Sequence, residues 1–64
     1  MTTNASRLAW DEAVYAALET EGDLCRSDAQ GLADAHADVV EGAWLSGLSP
    51  EASARLLLDT TLRN

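Results

Sequence analysis

Apolar side chains recur along most of this chain at the three-and-four spacing of a helix surface, and that rhythm is interrupted in two places. Gly22-Asp23 closes the first periodic stretch, and Gly47-Leu48-Ser49-Pro50 closes the second. The spacing predicts one all-α, compact three-helix domain over residues 1–64, with helices at about 6–20, 28–45 and 50–62. No repeat, low-complexity tract or linker divides it.

In the first helix, Trp10, Ala13, Val14, Ala17 and Leu18 share one stripe at about 100° per residue, which is the expected core face. Asn4 or Ser6 is placed to cap the start, and Asp11 and Glu12 lie near its positive end. Leu8 and Tyr15 fall off the stripe among Asp11, Glu12 and Glu19, so they are expected as a small exposed apolar patch.

Ser27-Asp28-Ala29-Gln30 reads as a capping box opening the second helix, with the Ser27 hydroxyl and the Gln30 side chain satisfying each other's backbone amides. Beyond it, Ala29, Leu32, Ala33, His36, Val39, Val40, Ala43 and Trp44 form one broad apolar face. Asp34, Asp38 and Glu41 fall opposite, along one line. Gly31, Ala35 and Gly42 line an edge where small side chains would let another backbone come close.

The third helix opens on Ser49-Pro50-Glu51, with serine as N-cap, proline at the first helical position and an acid in the first turn. Glu51, Arg55, Asp59 and Arg63 follow at i,i+4 steps with alternating sign and mark a solvent face. Leu57, with Ala54 and Thr61, points the other way toward the core. Leu56, Leu58 and Leu62 are too many for one stripe, and Leu58 and Leu62 make an apolar strip beside the charged ladder.

The junction of the second and third helices resembles a helix-turn-helix corner. Ala43, Gly47 and Leu48 stand where that motif places its small residue, its turn glycine and the following hydrophobe, and Leu56 stands at the packing position of its second helix. Ser46 and Ser53 depart from the pattern, since those positions are normally apolar. The would-be recognition helix offers Arg55 and Arg63 against Glu51 and Asp59. Phosphate neutralisation dominates affinity for DNA, so an angular helix pair is expected without direct nucleic-acid binding.

Composition narrows the function classes. A 64-residue chain buries only about 60% of the surface its unfolded form exposes, so its core is modest and a second subunit is a natural support. One cysteine, Cys25, and one histidine, His36, provide neither an internal disulfide nor a Cys/His metal cage, so no metal or cofactor is expected. Arginine is the only basic residue type, and alanine is abundant, the usage of a GC-rich genome. Eleven acids against four arginines give a charge of −7, which repels nucleic acid and anionic membranes. No apolar run approaches the roughly 20 residues of a membrane span, and Met1 to Ser6 lacks the basic and apolar regions of a secretory signal, so a cytoplasmic location is expected.

No catalytic constellation is visible, and the chain is not expected to be an enzyme. His36 reads as a core or half-buried residue of the second helix, and Cys25 has acidic neighbours in Glu21, Asp23 and Asp28 that oppose a reactive thiolate. The acidic helix lacks the Asp-x-Asn/Asp-x-Asp/Asn-Gly loop of a calcium site.

The residues point to a homodimer through the surplus leucines of the third helix, acting by binding another protein. The expected partner surface comprises Asp34, Asp38 and Glu41 with Leu58 and Leu62. One reading is an inhibitor or adaptor of phage or mobile-element type, anti-restriction or anti-CRISPR-like, that presents acids to the basic groove of a nucleic-acid-handling protein. The other is a helix-turn-helix-like regulatory or structural accessory module that uses its corner for protein contact.

Overall fold

A computed structural model describes the backbone of residues 4–62 and the side chains of residues 6–61. Among these described residues four helices follow one another: α1 (Asn4–Gly22), α2 (Arg26–Ala35), α3 (Ala37–Ser46) and α4 (Pro50–Leu62). The all-α class expected from the periodicity is present, with a helix count of four rather than three. The second predicted helix is divided at His36, whose backbone leaves helical geometry at φ −119° and ψ 44°.

No glycine or proline marks that division. The packing changes across it: α2 lies on α1, whereas α3 lies against α4 and also meets α1 through Arg7–Glu41 and Trp10–Trp44. The bonds from His36 N to Leu32 O, 3.1 Å, and from Val40 N to His36 O, 3.1 Å, carry the chain through the bend. Ala29, Ala33, Val40 and Ala43 stay buried on the inner side of both halves.

Helix α1 runs two residues further at each end than expected and stops where Asp23 takes a left-handed backbone, φ 55°. That conformation usually falls to glycine, because a Cβ crowds the following carbonyl. The next helix starts earlier than its capping signal suggests. Cys25 is the N-cap of α2 and gives no side-chain cap, so the Ser27–Gln30 box is not formed. Ser27 and Gln30 sit inside the first turns, exposed to solvent.

The α3–α4 turn follows its sequence signals closely. Gly47, at φ 78°, donates to Trp44 O at 3.1 Å, and Leu48 N donates to Ala43 O at 3.0 Å, the paired bonds of a Schellman ending. Ser49 Oγ accepts from Ala52 N at 3.1 Å, with Pro50 at the first helical position as predicted. The helix-turn-helix register does not carry into α4: Leu56 is 41% exposed, whereas Ser53, Ala54 and Leu57 are buried. Buried Ser53 donates its hydroxyl proton to Ser49 O at 3.0 Å, which explains how a polar group holds a core position.

The core is drawn mainly from the α1–α4 seam, where Val14, Leu18, Ala54 and Leu57 are closed off from solvent. Trp10, Ala17, Tyr15, Leu24, Leu32, Val39 and Leu58 pack around it as half-buried residues. Tyr15 therefore belongs to the rim of the core and not to an exposed patch, while Leu8 is 64% exposed as expected. Thr61, expected in the core, is exposed. The small edge of Gly31, Ala35 and Gly42 is exposed, and a Cβ at either glycine would meet nothing within 4 Å, so among the described residues no other helix approaches there. No described helix is long and apolar enough to cross a membrane.

Candidate interaction surfaces

Three arginines organise the surface by joining α1 to its neighbours. The Nε of Arg7 donates to Asp11 Oδ1 at 3.0 Å, and its Nη1 donates to Glu41 Oε1 on α3 at 2.9 Å. The hydrogen bond to Glu41, then that to Asp11, raises the Arg7 pKa further. Arg26 Nη1 donates to Glu12 Oε1 at 2.8 Å. Arg26 Nε also lies 2.8 Å from the buried Glu19 Oε2, without the alignment of a hydrogen bond. Arg55 on α4 reaches Glu21 on α1 through two 3.5 Å contacts, leaving the line of its own helix; Arg63 of the expected ladder lies outside the described residues.

The predicted acids are distributed around these links. Asp34, near the end of α2, and Glu41, on α3, line a cleft of about 190 Å³ with Arg7, Asp11 and Tyr15. Asp38 sits in the first turn of α3, where a carboxylate suits the helix dipole. All three are exposed, but Glu41 is already held by Arg7, and the bend at His36 divides their line between two helices. Burial, with the nearby carboxylates of Asp11, Asp34 and Glu12, raises the Tyr15 phenol pKa, and Arg26 partly offsets this.

Of the two predicted leucines, Leu58 is half-buried and leans on the core, and the Leu62 side chain lies outside the described residues. Leu58 lines a groove of about 500 Å³ with Leu24 and Leu32, bordered by Glu21, Gly22, Asp28 and Thr61. The Leu58 tip lies so close to Gly22 that a Cβ there would meet Leu58 Cδ2 at 2.8 Å. A side chain at this point would make the Leu58 tip shift.

A second apolar surface was not legible in the helical stripes. Trp10 and Trp44, expected in the core, pack edge to face with centroids 5.4 Å apart at the far end of the molecule and remain half-exposed. Arg7 lies over both rings, 5.7 and 5.5 Å from their centroids. The Trp10 indole donates to Leu48 O at 3.0 Å, tying α1 to the α3–α4 turn. Leu45, 74% exposed, and Leu48, 38% exposed, complete this platform. The available signal was Leu45, which stands off the second helix's apolar face immediately before the turn.

Cys25 is exposed and unbridged, and His36 is half-buried at the bend. Among the described residues no group of three or more His, Cys, Asp or Glu side chains is placed to hold a metal ion. Comparison with protein-family models, curated proteins and solved structures finds no match.

Proposed function

We propose that this chain is a protein-binding domain that works as an inhibitor or adaptor, laying the acidic outer face of α2 and α3 against the basic groove of a nucleic-acid-handling protein. The observation that supports this reading is the allocation of positive charge. Arg7, Arg26 and Arg55 are each committed to acids on α1 or to Glu41, so Asp34 and Asp38 carry no ion pair with them. Carboxylates left unpaired by these three arginines, on a chain of charge −7, attract a basic surface from a distance, before contact.

The test is competition. Immobilised protein is challenged with nucleic-acid-binding proteins at two salt concentrations, and the captured protein is then eluted with duplex DNA. Elution by DNA, with capture falling at least about tenfold in the Asp34→Asn, Asp38→Asn, Glu41→Gln variant, supports the mimicry of phosphates. Capture that ignores both DNA and salt overturns it.

A second reading is favoured by the Trp10–Trp44–Leu45–Leu48 platform, which places exposed apolar area at the α3–α4 corner. An accessory module docking there depends on Leu45 and tolerates salt, because apolar contacts are not screened. Leu45→Ser lowering capture while the acidic variant binds normally selects this reading.

A further inference from the structure

We propose that the Leu24–Leu32–Leu58 groove is a docking site for a basic amphipathic helix of a partner protein, separate from the acidic face of α2 and α3. Among the described residues no element roofs the groove, and its floor is leucine from three directions: the α1–α2 connection, α2 and α4. An amphipathic helix is the element that inserts successive apolar side chains into such a trough.

The charge of the occupant follows from the rim. Glu21 and Asp28 flank the leucines, both exposed; Glu21 is balanced by Arg55 across a long 3.5 Å contact, and Asp28 has no ion pair with Arg7, Arg26 or Arg55. A helix with Lys or Arg beside its apolar stripe would place cations against these carboxylates while its apolar side chains displace water from the leucines. A second copy of this chain is less suited, since it brings −7 toward −7.

The experiment uses the full chain, a synthetic Leu/Lys amphipathic helix, a scrambled peptide of the same composition with no apolar stripe, and a Leu/Glu peptide. Amide NMR shifts map the site, and sedimentation follows self-association. The expected result is binding of the Leu/Lys peptide with shifts centred on Gly22, Leu24, Leu32 and Leu58. The scrambled peptide should bind at least about tenfold more weakly and the Leu/Glu peptide not measurably, since apolar contact and charge are both required.

Asp28→Lys and Thr61→Trp alter exposed rim residues, so both should keep the helical spectrum; the first reverses charge, the second fills the groove, and each should weaken binding about tenfold. Asp34→Asn, Asp38→Asn, Glu41→Gln should leave the shifts centred on Gly22, Leu24, Leu32 and Leu58, and at high salt, where long-range attraction is screened, should leave peptide affinity unchanged, which separates this site from the acidic face. Equal binding of the scrambled peptide, shifts confined to Asp34, Asp38 and Glu41, or a dimer that protects Leu58 would each overturn the proposal.

Discussion

The α1–α4 seam and the α2–α3 half are built by different physics. Along the seam, the branched side chains of Val14, Leu18 and Leu57 are buried in one cluster with Ala54. The α2–α3 half faces inward mostly with alanines, is bent at His36, and is tied down by Arg26 to Glu12 and by Arg7 to Glu41. Exposed pairs of that kind contribute little to stability, about 0–1 kcal/mol each, while a fully buried leucine contributes about 1.5–3 kcal/mol. The seam therefore supports the fold, and the bent half is left free to carry charge outward.

The sharpest way to break this contrast is to cut the seam. Leu57→Ala should cost about 2–5 kcal/mol, and a domain of this size has little more to lose, so urea titration should find the variant largely unfolded. A cost below that of Val40→Ala would place the stability in the bent half instead.

Gly31→Ala and Gly42→Ala probe the outer side of α2 and α3, where a Cβ meets nothing within 4 Å. Each should stabilise by about 0.5–1 kcal/mol through helix propensity alone, visible as a higher melting temperature. A loss would mean that this face is closely covered. Asp23→Gly should raise stability by about 0.5 kcal/mol by relieving the left-handed residue after α1; an unchanged melting temperature would show that the aspartate is not strained.

The smallest effect concerns Tyr15 on the border between the two halves. Its folded pKa is raised above the ordinary 10.0, so the unfolded chain ionises first. The stabilisation is complete below pH 10.0 and is lost as pH rises through the folded value. As the chain has one tyrosine, phenolate absorbance should show a midpoint above that of the urea-unfolded chain, and Tyr15→Phe should flatten the alkaline loss of stability.

Periodicity made the helical class, the Val14–Leu18 stripe, the Ala54–Leu57 stripe and the Gly47–Ser49–Pro50 turn legible, because each depends on local spacing or a local bond. The break at His36 was hidden, since no glycine or proline marks it and it coincides with a change in packing from α2 to α3. The capping box was overruled by a start at Arg26, whose side chain reaches back to Glu12 and Glu19. Trp10 and Trp44 fit the apolar stripes yet stand at their outer ends, where both remain half-exposed. Of the candidate site, spacing found the exposure of Asp34 and Asp38 but not the engagement of Glu41, because Arg7 is distant in sequence.

The stacking of Arg7 with Trp10 and Trp44 gives the molecule an unequal optical sensitivity. Both tryptophans of the chain lie in that one cluster, so indole emission and the near-ultraviolet dichroism of the coupled rings report on the junction of α1 with the α3–α4 turn. The leucine groove contains no indole, and a ligand held there should leave the emission spectrum almost unchanged. A partner that shifts it has touched, or pried apart, the opposite end.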